Sequence, residues 1–231
     1  MQHPLDNPVW YALNGPQADL AIGHGLGRHY PRDIAPFSAV AEPTAAAYAD
    51  LGVDLPHGLE ARLFRPQAEP APQGWETVSA RPIMQVVAQK IAALPASSQT
   101  EFVALGLDDA TDMLTLADAA KPGPFGPRTS LLGVYLGVRR AGQLIAMGGE
   151  RFRLPGFVEL SGICVHPSAR GTGLGAAITA KLMRLVLERG ETPFLHVFPD
   201  DPAGALYARL GFLERARLFV LWHRPLIGRQ P

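Results

Sequence analysis

Apolar and polar residues along the second half of the chain are grouped into short segments typical of one mixed α/β domain. From residue 101 the pattern predicts strand EFVAL, helix DDATDMLTLADAA and two strands, VYLGVRR and QLIAMGGERF. The Ala141-Gly142 turn between those strands predicts an antiparallel hairpin. The remaining pattern predicts strand GFVELSGICV, a helix, strand PFLHVF, helix DPAGALYARL and strand RLFVLWH. This order favours an α/β (α+β) fold with a mixed sheet.

The helix predicted over residues 172–189 has the clearest pattern in the chain. Leu174, Ile178, Leu182 and Leu185 recur at the spacing of one buried helical face. Arg189-Gly190 then supplies a basic last turn and a glycine of the kind that ends helices. We therefore expect this helix to pack one face against the sheet.

Proline and glycine cluster at residues 65–74, 93–99 and 121–129, and such stretches interrupt regular structure. We place a boundary at the second cluster, which gives a smaller mixed α/β unit over residues 1–99 and a main domain over residues 100–231. In the smaller unit, TAAAYADL predicts a helix, whereas DLAIG, LEARLF and IMQVVAQ are short apolar runs between turns.

Composition narrows the classes of partner. Lysine plus arginine equals aspartate plus glutamate at 21 each, so no overall field attracts nucleic acid or an anionic membrane. No apolar run approaches the roughly 20 residues of a membrane helix, and the first residues do not resemble a signal peptide. A single cysteine and seven scattered histidines predict neither an internal disulfide nor a metal site. We expect a cytoplasmic protein without nucleic-acid, membrane or metal partners.

A glycine-rich turn joins the strand that ends at Val165 to the amphipathic helix. The first turn of a helix presents free backbone N–H groups and the positive end of the dipole, which together bind anions. Glycines at 171, 173 and 175 let an anion approach the backbone, and Arg170 adds a positive charge. The turn therefore predicts a site for two adjacent phosphates.

We compare the turn with two known phosphate-binding patterns, the Walker loop and the dinucleotide-binding fingerprint. A Walker loop requires Lys-Ser or Lys-Thr after its last glycine, but Ala176-Ala177 follows here, which argues against a nucleotide triphosphatase. Gly171, Gly173 and Ala176 do satisfy the dinucleotide pattern G-x-G-x-x-A. Only 55 residues follow Ala176, too few for the further βαβ units of that fold. A dinucleotide-binding domain stays open as the weaker alternative.

Two motifs carry a resemblance to a known family. The pattern V-x-P-x-x-R-G-x-G-x-G runs from Val165 to Gly175, and D-x-x-A-x-x-L-Y-x-x-x-G-F runs from Asp200 to Phe212. Together they resemble the GCN5-related N-acetyltransferase (GNAT) superfamily, in particular its FR47-like branch, over roughly residues 100–225. The resemblance implies the acyl-CoA N-acyltransferase fold and acetyl transfer from acetyl-CoA to a primary amine. Asp200 departs from the asparagine that usually begins the second motif.

The resemblance also implies where acetyl-CoA binds. The strand before the turn is expected to splay from its neighbour, so that the pantetheine arm pairs with the backbone around Ile163 and Val165. The pyrophosphate is expected on the amides of residues 171–176. The implied cofactor-binding residues are Ile163, Cys164, Val165, Arg170, Gly171, Thr172, Gly173, Leu174, Gly175, Ala176 and Asp200.

A general base is needed because, with an amine pKa of about 10, only about one amine in a thousand is neutral near pH 7. Glu159 is our candidate, since its place six residues before Val165 resembles that of the base in the histone-acetylating branch. Strand alternation is expected to put Glu159, Ser161, Ile163 and Val165 on one face and Cys164 on the other. An ordinary solvated carboxylate is the alternative for Glu159, with Glu150 as the reserve base. A buried Cys164 is expected to be unreactive.

Tyr207 resembles the family's general acid, which protonates the departing thiolate; the alternative is a core tyrosine. The loop KPGPFGPRT lies in a region that covers the acceptor side in this superfamily. Lys121, Phe125 and Arg128 are therefore candidate substrate contacts, unless the loop is only a rigid connector.

The function that follows is an acetyl-CoA-dependent N-acetyltransferase, acting by direct attack, on a small-molecule or peptide amine. A non-catalytic CoA-binding sensor would keep the turn but lack the acid and the base. The unit over residues 1–99 is interpreted as a wall of the acceptor pocket, a degenerate second copy of the GNAT fold or a dimerisation surface. Either a monomer or a homodimer is expected.

Overall fold

A computed structural model of the chain describes residues 3–88 and 100–226. The strands in these ranges are Gly27–His29 (β1), Ser38–Val40 (β2), Ala61–Arg65 (β3), Trp75–Ala88 (β4), Val103–Leu105 (β5), Tyr135–Arg140 (β6), Gln143–Leu154 (β7), Phe157–Val165 (β8), Thr192–Val197 (β9) and Phe212–Pro225 (β10). The α-helices are Pro8–Leu13 (α1), Ala45–Asp54 (α2), Ala110–Ala120 (α3), Leu174–Glu188 (α4) and Ala203–Arg209 (α5).

Eight strands form one sheet in the order β3-β10-β4-β9-β8-β7-β6-β5, which confirms the mixed α/β class. Every neighbouring pair is antiparallel except β8 and β9, which run parallel. The hairpin predicted around Ala141-Gly142 is present as β6 and β7. Both glycine and alanine in this turn have positive φ, as a tight two-residue turn requires. Parallel pairing of β8 and β9 follows from the crossover through α4.

Helix α4 covers one face of the sheet, as its apolar spacing predicts. Ile178, Leu182 and Val186 are fully buried and share a core with Val158 and Leu160 of β8. The helix ends at Glu188, and Gly190 follows with φ 74°, in agreement with the predicted stop. Burying three such aliphatic side chains contributes about 1.5–3 kcal/mol each.

The opposite face of the sheet is covered by two segments. Residues 3–40 pack over the strands from β3 to β7, where Leu5, Val9 and Phe37 share a core with Phe64, Phe152 and Phe194. Helix α3 covers the β6 to β8 side through Met113 and Leu116. A gap between these two covering segments leaves part of this face open.

Strands from the first half of the chain belong to the same sheet as those of the second. β4 lies between β10 and β9, and β3 pairs with the outer edge of β10. The segment proposed as the domain boundary, residues 93–99, lies outside the described residues. The proposed units, residues 1–99 and 100–231, therefore share one sheet.

Local predictions in the first half are met unevenly. TAAAYADL forms α2, capped by the Thr44 hydroxyl, while LEARLF and IMQVVAQ contribute to β3 and β4. The apolar run DLAIG makes a 3₁₀ turn and then one isolated bridge at Ile22. Gly23 follows with φ 115°, so the chain turns away before a ladder can extend. In the described ranges none of the helices has the length and apolar content needed to cross a membrane.

Candidate active site

β8 and β9 pair at their beginnings and then separate. Their paired residues are Phe157 with Thr192, Val158 with Pro193 and Glu159 with Phe194. Beyond Glu159 the two strands lose their ladder, and a groove of about 520 Å³ opens between Leu160–Val165 on one side and Leu195–Val197 on the other. The splayed strand implied by the sequence motifs is therefore present, with unpaired backbone groups along one wall.

A β-bulge at Gly162 helps to separate the strands and corrects one expectation. Gly162 has φ 64°, and the register of β8 against β7 shifts between Ser161 and Cys164. The bulge inverts the side-chain alternation, because one extra residue turns the following side chains over. Ile163 and Val165 consequently pack toward α4, on the face opposite to Glu159 and Ser161. The expectation that all four share one face is wrong.

The groove brings together several residues predicted to hold the cofactor. Ile163, Cys164, Val165 and Arg170 line it, and Tyr207 of α5 lines its other side. The Cys164 side chain is buried, and burial raises the pKa of its thiol to about 12. A thiol that stays protonated is a poor nucleophile, in agreement with the expectation of an unreactive cysteine.

The glycine-rich turn has the geometry that an anion site requires. Gly173 caps α4 with φ 82°, and Gly171 has φ 76°, so both residues lie in the region that favours glycine. The Thr172 hydroxyl donates a 2.6 Å hydrogen bond to the Ala169 carbonyl and fixes the turn. The first amides of α4, at residues 174–176, have no acceptor within the helix. Residues 171–176 do not line the groove themselves, but Arg170 at the start of the turn does.

A second cavity of about 230 Å³ continues from the groove on the open face of the sheet. The two cavities share five lining residues: Pro122, Ser161, His196, Val197 and Asp201. Aromatic side chains from several elements form its wall, among them Phe37, Phe64 and Trp222. We call the place where the two cavities meet, between Ser161 and Asp201, the border. A molecule in the second cavity would contact a molecule in the groove there.

Glu159 lies beneath this border in a buried network. Its carboxylate accepts two hydrogen bonds from Arg151, at 2.6 and 2.8 Å, and one of 2.6 Å from Nδ1 of His196. Burial alone would raise the pKa of Glu159, but the Arg151 and His196 interactions outweigh burial and lower the pKa to about 2. Its side chain is fully buried and lines neither cavity. Glu159 is therefore a weak base that does not touch the groove.

His196 links this network to the cavities. His196 lines both of them, while its ring is fully buried and stacks on Phe64 at a centroid distance of 4.3 Å. Burial lowers the pKa of His196 despite the neighbouring carboxylate, so the ring is neutral at pH 7. With Nδ1–H donated to Glu159, Nε2 accepts a 3.0 Å hydrogen bond from the Gln85 amide. Both ring nitrogens are thus occupied within the protein.

Asp201 and Tyr207 lie on the other side of the border. Asp201 lines both cavities, and its Oδ1 accepts a 2.8 Å hydrogen bond from the Ala203 amide at the start of α5. Burial raises the pKa of Tyr207 to about 12, and the Asp201 charge adds to the effect. The phenol therefore keeps its proton at neutral pH.

Of the remaining predicted site residues, only Lys121 lines a cavity. Lys121 lines the groove, and its neighbours Pro122 to Pro124 line the second cavity. Phe125 instead packs edge-on against Tyr135, and Arg128 forms a 3.1 Å surface ion pair with Asp33. The reserve base Glu150 is paired with Arg189 at 2.6 Å. Asp200 is exposed and lines neither cavity.

Sequence reasoning missed Asp201 and the residues of the second cavity. Asp201 stands next to the motif position, and only the geometry of the turn before α5 distinguishes it from Asp200. Arg62, Arg81 and Trp222 come from β3, β4 and β10, strands that are far apart along the chain. No local pattern signals that they meet, because their proximity depends on strand order in the sheet.

Comparison with known proteins agrees with this geometry. Residues 135–220 match the model of the FR47-like protein family. The chain is 35% identical to a putative acetyltransferase from the GNAT family of Novosphingobium aromaticivorans, over 97% of this chain and 100% of that one, with a TM-score of 0.87. A GCN5-related N-acetyltransferase from Kribbella flavida shares the fold, at 20% identity over 94% of each chain and a TM-score of 0.64. No curated protein sequence matches the chain.

Proposed function

Because the chain belongs to the GNAT acetyltransferase family, whose fold serves acyl transfer, we propose that it moves an acetyl group from acetyl-CoA to a primary amine. The observation that carries this proposal is the contact between its two cavities. A groove with free strand backbone, bordered by Arg170 just before the N-terminus of α4, suits the pantetheine and pyrophosphate parts of acetyl-CoA. A smaller aromatic cavity meets that groove at one border, where an acceptor and a thioester would react.

Direct attack suits this arrangement. The amine nitrogen forms a bond to the thioester carbonyl carbon, the carbon–sulfur bond breaks, and the CoA thiolate needs a proton. Tyr207 supports that step, since it lines the groove and its pKa of about 12 keeps the phenolic proton available. Binding both reactants next to each other at the border also lowers the entropic part of the activation barrier.

The proton of the attacking ammonium needs an acceptor at the same border. Asp201 is the carboxylate that touches both cavities among the described residues, and only one of its oxygens is used by the Ala203 amide. We assign the base role to Asp201, acting directly or through one water molecule.

Glu159 receives a positioning role instead of the base role predicted from the sequence. Its carboxylate is buried, paired with Arg151 and His196, and its pKa is lowered to about 2. Both partners line the second cavity, so Glu159 fixes two of its walls. Proton transfer from an amine to Glu159 would require breaking that network.

Binding and turnover test the proposal separately. Acetyl-CoA should raise the melting temperature of the full chain, because a ligand that binds only the folded state adds to its stability. A panel of amino acids, polyamines, aminoglycosides and peptides should then contain an acceptor that releases free CoA. Binding without any turnover would favour the CoA-binding sensor. Stabilisation by NAD and not by acetyl-CoA would favour the dinucleotide alternative.

Several further expectations accompany this function. A small-molecule or peptide amine as partner, a cytoplasmic location and a monomeric or homodimeric state stay predictions from the sequence. The contribution of Phe37 to the second cavity supports the interpretation of the N-terminal segment as a wall of the acceptor pocket.

A further inference from the structure

The second cavity carries positive charge that the protein does not neutralise. Arg62 of β3 and Arg81 of β4 both line it, on either side of β10. Among the described residues neither guanidinium has a carboxylate within ion-pair distance, and the buried Nε of Arg62 has no hydrogen-bond partner. Glu60, which acts electrostatically on Arg62, is itself paired with Arg224 at 3.1 Å.

Both arginines are held by aromatic rings rather than by acids. The Arg62 guanidinium lies 4.3 Å from the ring centre of Trp222, and that of Arg81 lies 4.3 Å from the ring centre of Phe198. Stacking fixes the plane of a guanidinium and leaves its edge free for in-plane hydrogen bonds, the geometry that suits a carboxylate. These two residues therefore differ from Arg151, whose edge is already used by Glu159.

Arg81 lies close to the border where the acceptor and the thioester would react. Phe198, on which Arg81 stacks, accepts a 3.0 Å backbone hydrogen bond from Asp201. An anion on Arg81 would thus lie near the border where the attacking amine is expected. Phe64, Ile83 and Val220 form an apolar part of the wall, while Arg151, Ser161, His196 and Asp201 also line the cavity. At about 230 Å³ it is smaller than the roughly 300–1,000 Å³ of pockets for drug-sized ligands.

We infer that the acceptor is an amino acid with an apolar side chain, whose carboxylate binds Arg81 and Arg62 while its α-amine faces Asp201. This inference rests on the proposed acetyl transfer and adds the class of acceptor. Strands β3 and β4 are two strand spacings apart, about 10 Å, so two arginine side chains can reach one anion between them. The apolar wall would select leucine-like or phenylalanine-like side chains over acidic or basic ones.

The decisive turnover experiment compares two acceptors of similar shape, one with a carboxylate and one with an amide in its place. L-leucine should release CoA at least tenfold more efficiently than L-leucinamide, because a charge-assisted bidentate pair is lost in the amide. Arg81→Gln and Arg62→Gln should each raise KM for leucine about tenfold or more and reduce the preference for leucine over leucinamide. Arg217→Gln, an exposed arginine of β10 paired with Glu214, is the matched control and should change neither rate.

Direct binding separates failure of this inference from failure of the proposed function. N-acetyl-L-leucine should bind the full chain more tightly than N-acetyl-L-leucinamide in calorimetry, with the difference removed by Arg81→Gln. If that binding pattern holds but no amine is turned over, the acid-binding site stands and acetyl transfer falls. Equal binding of acid and amide overturns the inference while acetyl transfer to other amines survives. Preference for O-phosphoethanolamine, or for a peptide N-terminus, over leucine overturns the amino-acid assignment.

Discussion

Oε1 of Glu159 and Nδ1 of His196 lie 2.6 Å apart, and both side chains are completely buried. Two hydrogen bonds from Arg151 complete the network, so this carboxylate accepts three hydrogen bonds from two side chains. The arrangement lies directly under the border between the two cavities. It connects the folding stability of the sheet with the shape of the proposed acceptor pocket.

Glu159→Gln should destabilise the fold strongly. The substitution leaves the buried Arg151 without its counter-charge. Such a change typically lowers the free energy of unfolding by about 3–5 kcal/mol. Urea unfolding of the full chain measures this loss. Glu214→Gln breaks an exposed pair with Arg217 and should cost less than about 1 kcal/mol. Equal stability of Glu159→Gln and the wild type would contradict the network as the structure has it.

The same network predicts how stability depends on pH. The pKa of Glu159 is about 2 in the folded chain against an ordinary value of 4.5, so the unfolded chain binds more protons between these values. Its contribution is present above about pH 4.5 and is lost as pH falls toward 2. His196, whose pKa is lowered by burial, adds a loss of stability as pH falls below 6.5. Unfolding curves from pH 7 to pH 3 should show both losses, and Glu159→Gln should lack the lower one.

Gly173 offers a test of the pyrophosphate site that leaves the charges unchanged. A Cβ at residue 173 would meet no atom within 4 Å, yet φ 82° strains any other residue by about 1–2 kcal/mol. Gly142 in the β6–β7 turn has φ 83° and equally open surroundings, so it is the matched control. Both alanine variants should lose similar stability, but only Gly173→Ala should weaken acetyl-CoA binding. Equal acetyl-CoA affinity in the two variants would place the pyrophosphate elsewhere.

The sequence predicted the parts of this site that depend on local pattern. Helix α4, its glycine-rich start and the β6–β7 hairpin follow from apolar spacing and turn residues. The order of strands did not follow, because β4 enters the sheet between β9 and β10 through contacts distant along the chain. The bulge at Gly162 was also missed, although a glycine within a strand is a known signal for one. That single residue decided which way Ile163 and Val165 face.

Asp201 and its neighbour Asp200 form a natural pair for testing the base. Asp201→Asn should lower kcat by about a hundredfold or more, in the range typical of lost general-base catalysis. Asp200→Asn should stay within about twofold of the wild type, since Asp200 lines neither cavity. Acetyl-CoA binding, measured by thermal shift, checks that α5 keeps its position. A larger effect at Asp200 would restore the role that the motif implied for it.

Tyr207→Phe tests the acid with minimal change in packing. The Tyr207 ring contacts Phe212 at a centroid distance of 6.1 Å, and phenylalanine would keep that contact. Loss of the hydroxyl should lower kcat by about a hundredfold or more, because the thiolate then leaves without its proton donor. Melting temperature and acetyl-CoA affinity should change little. Tyr11→Phe removes a hydroxyl from a ring that packs on the core away from both cavities, and should leave kcat unchanged. If the two variants turn over equally fast, Tyr207 is a packing residue and the thiolate takes its proton from water.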